Sequence, residues 1–261
     1  MAAIFASPNQ VHTEIGIECA RRGIHILVEK PVTDTLEAAT RLIEAVHRSG
    51  ILALVGHHRR HHDQVQKLRG LLGNRDIGAL VGTSAIWAAY KPNAYFEIAP
   101  WRTQQGRGPV LITFIHEIDF LRFTGEIVAV SAVTSSDQRH FAVEDTAGAV
   151  LEFQNGAIGT FIISDSAVTP WTVEQGVGEA VEFPFSGESS YRFLGSHGAL
   201  EFPNLCGGTS RPKSARGTGR CGRSGCSRLR STPMWRSSII SATSSAARPK
   251  ACKPSRTAHA R

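Results

Sequence analysis

The chain has 261 residues, of which 41% are hydrophobic and 20% are charged. A chain of this length and composition can bury a substantial core, which excludes collagen-like and wholly disordered proteins. No apolar run approaches the ~20 residues that span a bilayer, and residues 1–10 lack the basic start and apolar stretch of a secretory signal. With a single cysteine in residues 1–205, these features predict a cytoplasmic protein without a membrane partner.

The net charge of +7 is distributed unevenly along the chain. Residues 206–261 hold 13 basic and no acidic residues, whereas residues 1–205 hold 16 basic and 22 acidic residues. The excess positive charge therefore belongs to the tail, and the acidic body is not expected to bind nucleic acid.

The first sixty residues alternate between short apolar runs and amphipathic segments. The runs at 2–6, 24–28 and 52–55 predict three buried strands, and the segments 10–22 and 36–49 predict the helices between them. Thr35 is the predicted N-cap of the second helix and Gly50 its end. Strands and helices in this order, with short connections, predict an α/β unit with a parallel sheet.

After about Asp76 the pattern becomes that of an α+β domain. Strands are predicted at 80–90, 128–135, 147–153, 157–164 and 172–176, with one helix at 109–124. Asn155-Gly156 is a hairpin signal between two of these strands, which predicts a mostly antiparallel sheet with helices on one face. The predicted boundaries are 1–60, 61–205 and 206–261.

The tail, residues 206–261, has no periodicity and contains 11 serines and 6 glycines, which predicts disorder. Two hypotheses account for it: a frameshift near residues 205–208, or a genuine basic segment that contacts RNA, DNA or acidic lipid. The alternative reading frame of the gene distinguishes them, since only a frameshift predicts an acidic, periodic continuation there. Cys221 and Cys226 have no companion ligands at zinc spacing, so no metal site is predicted.

Polar side chains follow all three predicted parallel strands at the point where each strand ends. Ligands of parallel sheets bind at this edge, and a partly desolvated lysine there has a lowered pKa that suits proton transfer. The alternative for each group is an ordinary polar loop that borders a helix. The groups are Ser7, Pro8, Asn9 and His12; Glu29, Lys30 and Pro31; and His57 to Arg60.

A fourth polar group lies on the helix predicted at 109–124. His116 and Asp119 are three residues apart and therefore share a helix face, and an apolar run precedes them. His116 is thus a candidate acid–base group, with a satisfied core histidine as the alternative. The glycines at 106 and 108 predict a close approach to a neighbouring group, such as a ligand, at the helix start.

The order of these motifs resembles that of the Gfo/Idh/MocA oxidoreductases over about residues 1–205. The combination of Glu-Lys-Pro with a His-x-Ile-Asp element about eighty residues later is the specific part. The motifs are Ser-Pro-Asn-x-x-His at 7–12, Glu-Lys-Pro at 29–31, Val-Gly-His at 55–57, Trp-Arg at 101–102, Gly-x-Gly-Pro at 106–109 and His-x-Ile-Asp at 116–119.

The resemblance implies a hydride transfer that depends on NAD or NADP, at a hydroxyl-bearing carbon of a sugar, cyclitol or related polyol. It implies that 1–60 is the later part of a Rossmann domain and that the chain forms homo-oligomers through the second sheet. Lys30 and His116 would be catalytic, and Lys30, Arg59, His116 and Asp119 would contact the substrate. The implied cofactor-binding residues are Ser7, Pro8, Asn9, His12, Glu29, Lys30, Pro31, Trp101 and Arg102.

Two departures from the family pattern lower the expected activity. The first sixty residues contain no G-x-G-x-x-G motif and begin in what the resemblance identifies as the fourth Rossmann strand, so we expect weak cofactor binding by this chain. Ile112 stands where many members carry an aspartate that pairs with the histidine. The alternatives are a non-catalytic oligomerising module and an inactive gene-fragment product.

Overall fold

The computed structural model describes residues 1–209 and 222–224, and it opens with a three-stranded parallel sheet. The strands lie in the order β1-β2-β3, with Ile4 level with Leu27 and Leu27 level with Leu54. This confirms the predicted parallel α/β unit. The elements are β1 (Ala2–Phe5), α1 (Asn9–Arg21), β2 (His25–Val28), α2 (Leu36–Ser49) and β3 (Ala53–Val55).

Helix α2 begins and ends at the predicted residues. The Oγ1 of Thr35 accepts a hydrogen bond from the Ala38 N–H at 3.1 Å, and Gly50 takes the left-handed conformation, with φ of 70°. The helix packs with α1 over the same face of the sheet. The core between them contains Phe5, Ala20, Ile26, Val28, Leu42, Ala45 and Ile51.

The prediction of three buried strands is wrong for β3. All three of its residues are exposed, Leu54 by 66%, and Ile4 of β1 is 76% exposed. Phe5, Ile26 and Val28 of β1 and β2 lie in the core under the helices, whereas no residue of β3 does, so both faces of β3 stay open in the described part of the chain.

A larger sheet of eight strands follows, in the order β11-β10-β9-β8-β4-β7-β6-β5. Neighbouring strands are antiparallel except for β4 and β7, which are parallel. The strands are β4 (Leu80–Ala88), β5 (Ile127–Ser135), β6 (Thr146–Phe153), β7 (Ile158–Ser164), β8 (Tyr191–Gly195), β9 (Gly198–Phe202), β10 (Gly207–Thr209) and β11 (Gly222–Ser224).

The helices of this second unit are short, and the longest of them, α3 and α5, pack together. They are α3 (Asp63–Gly73), α4 (Asn93–Glu97), α5 (Ile115–Thr124) and α6 (Val173–Val177), with 3-10 turns at His58–His61 and Pro100–Thr103 and a π-helical turn at Val110–Phe114. The predicted helix at 109–124 is therefore a π turn that continues into α5. Its Phe120 packs edge-on against Tyr191 of the sheet, at a centroid distance of 4.8 Å.

One prediction of secondary structure is wrong. The strand predicted at 172–176 lies in helix α6, because the Oγ1 of Thr172 caps the segment by accepting from the Gln175 N–H at 3.0 Å. In the tail, β10 pairs with β9 and β11 pairs with β10, and the disorder of residues 206–261 stays a prediction. The other predictions for the tail, including those for Cys221 and Cys226, lie outside the described residues.

Two kinds of feature are absent from residues 1–209 and 222–224. No helix there has the length and apolar character required to cross a bilayer. No group of three or more potential ligands among histidine, cysteine, aspartate and glutamate is placed to hold a metal ion.

Truncation of Leu121 tests the hydrophobic core between α5 and the larger sheet. Leu121 on α5 is fully buried, so Leu121→Ala is expected to lower the free energy of unfolding by about 2–5 kcal/mol in urea titrations. The same truncation at the exposed Leu54 is the control, with an expected change within about 0.5 kcal/mol. Equal losses of unfolding free energy in the two variants would contradict the placement of Leu121 in this core.

Candidate active site

A cavity of about 640 Å³ lies where the loops after β1 and β2 face the π-helical turn before α5. Nearly all the predicted cofactor-binding residues line it; Glu29 and Arg102 do not. The lining residues are Ser7, Pro8, Asn9, Gln10, His12, Lys30, Pro31, Trp101, Gln104, Arg107, Leu111 and Ile112. The polar groups after β1 and β2 therefore meet a wall built by the second unit, whereas His57 to Arg60 and His116 are not among the lining residues.

His12 fixes the loop after β1 against the loop after β2. Its Nε2 lies 2.8 Å from the carbonyl oxygen of Ser7, and its Nδ1 lies 3.1 Å from that of Val32. The hydroxyl of Ser7 is buried and has no hydrogen-bond partner among the described residues. A buried hydroxyl without a partner costs stability, so the Ser7 Oγ on the cavity wall is suited to hydrogen-bond a ligand.

Glu29 and Arg102 support the cavity from behind. The Oε2 of Glu29 accepts from the Lys30 N–H at 3.2 Å, and its carboxylate packs against Gly56, where a Cβ would come within 2.8 Å of Oε1. The guanidinium of Arg102 lies 3.8 Å from the Tyr95 ring centroid, and its Nη1 donates to the Tyr95 carbonyl oxygen at 2.7 Å. Both side chains position the walls rather than line the cavity.

Lys30 reaches across the cavity to the second unit. Its Nζ donates to the carbonyl oxygen of Ile112, in the π-helical turn, at 3.3 Å. Burial lowers the pKa of the Lys30 amine, and the nearby Glu29 offsets part of that effect. The amine is thus held one helical turn before His116, with its neutral form more accessible than in water.

His116 carries a ring that the protein holds neutral. Burial and the positive charges of Arg59 and Lys30 lower the pKa of His116 to about 2. Its ring packs edge-on against that of His58, at a centroid distance of 5.3 Å. Near neutral pH the ring can therefore accept or donate a hydrogen bond without carrying a charge.

The 3-10 turn after β3 docks on α5 through consecutive residues. His58 packs on His116, Arg59 pairs with Glu117, and Arg60 pairs with Asp119. The Nε of Arg60 donates to the Oδ2 of Asp119 at 2.8 Å. This places His116 and Asp119 against the same turn, as their spacing predicts.

The structure argues against the predicted substrate contacts of two residues. The guanidinium of Arg59 is buried and donates to the carboxylates of Glu117 and Glu174. Asp119 is 7% exposed and is held by Arg60 and by His57, whose Nε2 lies 3.6 Å from its Oδ1. Because these polar groups are already paired inside the protein, they are not free to bind a substrate.

Sequence analysis missed the buried network around Arg59. Burial opposes its charge, but Glu117 and Glu174 outweigh that effect and raise the pKa of Arg59. The hydroxyl of Tyr191 donates to Glu117, and the Trp87 Nε1 donates to Glu174 at 3.0 Å. One feature of the sequence could have indicated this network: the charges of the basic run at 57–60 and of the acidic residues at 117 and 119 are complementary.

The close approach predicted at the glycine turn is met by protein at Gly108. A Cβ at position 108 would collide with Val143 and with the Glu144 carboxylate, which accepts from the Val110 N–H at 3.0 Å. At Gly106 a Cβ would meet no described atom within 4 Å, and the φ of 74° is a left-handed conformation that favours glycine. Gly108 therefore allows close packing, whereas Gly106 serves the turn of the backbone.

Removal of Arg59 tests the buried network. Arg59→Met leaves the buried Glu117 and the partly buried Glu174 without their cationic partner and is expected to cost about 3–5 kcal/mol of unfolding free energy in urea titrations. Arg41→Met removes an exposed pair with Glu14 and serves as the control, with an expected cost below about 1 kcal/mol. Similar costs for the two variants would show that the network does not hold the units together.

Comparisons with known proteins agree with this architecture. Residues 1–57 match the oxidoreductase family with an NAD-binding Rossmann fold, and residues 65–201 match the GFO/IDH/MocA C-terminal domain. The chain is 29% identical to 1,5-anhydro-D-fructose reductase of Ensifer adhaerens over 61% of its own length and 49% of that protein. It is 27% identical to myo-inositol 2-dehydrogenase of Thermotoga maritima over 64% of its own length and 50% of that protein.

A solved structure has the same fold. An inositol dehydrogenase homologue from Azotobacter vinelandii, complexed with NADH and myo-inositol, superimposes with a TM-score of 0.63 at 21% identity, over 82% of this chain and 54% of that one. The chain thus spans about half the length of the curated relatives it matches. Since the family's two domains together match most of residues 1–201, the chain belongs to the Gfo/Idh/MocA oxidoreductases.

Proposed function

We propose that this cytoplasmic protein is a dehydrogenase that uses NAD or NADP to transfer a hydride to or from a hydroxyl-bearing carbon of a sugar, cyclitol or related polyol. The observation that carries the proposal is Lys30, whose amine lies on the cavity wall and reaches the carbonyl oxygen of Ile112. The substrate class is supported by relatives that act on anhydrofructose and myo-inositol.

The cavity fits the nicotinamide and ribose end of such a cofactor. The unpartnered hydroxyl of Ser7 and the side chains of Asn9 and Gln104 offer polar groups for ribose hydroxyls and the carboxamide, while Trp101 and Pro31 offer apolar surface. A bound nicotinamide would supply the acceptor or donor of hydride. The residues of this chain supply the groups that bind, orient and exchange a proton.

Lys30 is the group proposed to move the proton. When an alcohol is oxidised, its hydroxyl proton must leave as the hydride departs from carbon, and the neutral Lys30 amine can accept it. Burial lowers the pKa of this amine, which increases the neutral fraction at a given pH. In the reverse reaction the Lys30 ammonium returns the proton to the carbonyl oxygen.

His116 is proposed to orient the reacting hydroxyl. Its imidazole is neutral because burial and neighbouring cations lower its pKa to about 2. A neutral ring has one donor and one acceptor nitrogen, so it can bind a hydroxyl without competing with Lys30 for the proton in transit. In this proposal Lys30 transfers the proton and His116 orients the hydroxyl.

A second candidate function is that of an oligomerising module. The face of the larger sheet opposite its helices is uncovered by the described residues, and five apolar side chains on it are 44–75% exposed. A large open apolar face of this kind is typical of subunit interfaces. The five side chains are Val133, Val150, Ile158, Ile162 and Leu194.

Substitution of Lys30 tests the dehydrogenase proposal. With myo-inositol or glucose as probe and NAD or NADP as oxidant, Lys30→Met is expected to lower kcat by about 10²–10⁴-fold, because no other group replaces the amine. Lys67→Met, at an exposed position of α3, is the control and should keep wild-type turnover. Equal turnover by both variants, or no turnover of any polyol by the wild type, would contradict the proposal.

The pH profile gives a second check on Lys30. Oxidation needs the neutral amine, so its rate should rise with pH. The rise should level off below pH 10.5, because burial lowers the pKa of Lys30 from the ordinary lysine value of 10.5. Reduction needs the protonated Lys30 amine, so its rate should fall over the same pH range. Lys30→Arg, which stays protonated, should abolish the rise; a rise that survives would assign it to another group.

Light scattering after size exclusion tests the subunit interface. The wild-type chain is expected to elute as a dimer or larger assembly, and Ile158→Glu should shift it towards the monomer by placing a charge on the bare sheet face. Val168→Glu adds the same charge at an exposed site outside the sheet and should leave the mass unchanged. A monomeric wild type would exclude this interface.

A further inference from the structure

The ring of His116 has an unusual set of neighbours for a partly buried histidine. Neither ring nitrogen makes a hydrogen bond or an ion pair to any residue that the structure describes. Its one aromatic neighbour there is His58, whose ring meets it at an interplanar angle of 73°. The orientation of His116 therefore depends on packing rather than on a hydrogen-bonded partner.

His58 is itself held in place from two sides. It belongs to the 3-10 turn that Arg59 anchors on Glu117 of α5. On the other side its Nε2 lies 3.7 Å from the Oε1 of Glu179, in the loop after α6. The His58 side chain is nevertheless 45% exposed, so its ring is a partly solvated surface against the His116 ring.

We infer that His58, steadied by Glu179, is the positioning residue that aims the His116 ring into the active site. The inference deepens the proposed function and rests on it, because it assigns His116 the task of orienting a substrate hydroxyl. An edge-on aromatic contact has a preferred geometry, so it restricts rotation of the His116 ring about χ2. The same contact excludes water from one side of the ring.

The charged groups around the pair act from several elements. Lys30, at the end of β2, and Arg59 and His57, in the turn, face His116 and oppose its protonation. Glu29 and Glu179 face His58 and favour its protonation, although burial outweighs them and lowers the pKa of His58. Loss of the His58 ring is therefore expected to admit water to the His116 ring, which should raise the pKa of His116.

Histidine ring NMR tests the inference without requiring turnover. In His58→Ala, the pKa of His116 should rise by about one unit or more towards its ordinary value, and its tautomer signals should average, because water enters and the ring rotates. In His58→Phe the edge contact remains, so the His116 pKa should rise by less than about half that amount and one tautomer should persist. Wild-type spectra should show cross-relaxation between the two rings.

Glu179→Gln and His47→Ala complete the series. Glu179→Gln removes the charge that steadies His58 and should weaken the cross-relaxation between the rings, while His47→Ala, on the exposed face of α2, should leave His116 unchanged. Thermal unfolding checks that each variant is folded; if His58→Ala is not, the Glu179→Gln and His58→Phe spectra decide the inference.

Two outcomes would overturn the inference. One is an unchanged His116 titration in folded His58→Ala, and the other is a change in His58→Phe as large as that in His58→Ala, which would assign the effect to charge rather than to packing. If the NMR effects occur but Lys30 variants retain turnover, the positioning contact stands and the proposed chemistry fails.

Discussion

A single buried guanidinium joins the two units of this protein. Arg59 leaves the parallel sheet through a short turn and donates to carboxylates on α5 and α6 of the second unit. Buried charges are tolerated only with close partners, so the docking of the turn allows little freedom. Lys30 approaches α5 from the first unit and His116 projects from α5 itself, so the geometry between them depends on this pairing.

The same cation also sets the electrostatics of the cavity. Burial and the charge of Arg59 act in one direction on Lys30 and His116, and each lowers the pKa of both groups. Glu117 and Glu174 pair with the guanidinium, and the charge of Glu174 offsets part of the effect on the lysine. This buried ion network thus contributes to keeping the His116 imidazole neutral and to lowering the pKa of the Lys30 amine.

Local signals were enough to predict much of the architecture and of the cavity. Alternation of strands and helices, the caps at Thr35 and Gly50 and the turn at Asn155-Gly156 are encoded by neighbouring residues. Polar groups at the ends of β1 and β2 converge because parallel strands end at one edge. The partnership of Arg59 with Glu174 spans 115 residues and depends on the docked fold, so residue patterns could not reveal it. The exposure of β3 likewise depends on the tertiary arrangement, because neither of its faces packs under the helices.

The hydrogen bond from Lys30 to Ile112 ends on a main-chain oxygen. Every amino acid at position 112 would present that same atom, so substitutions there leave the acceptor in place while they change the shape of the cavity wall beside it. Substitutions at position 112 are therefore compatible with the hydrogen bond that holds the Lys30 amine. A new preference in the size or polarity of the bound molecule could arise there by a single codon change.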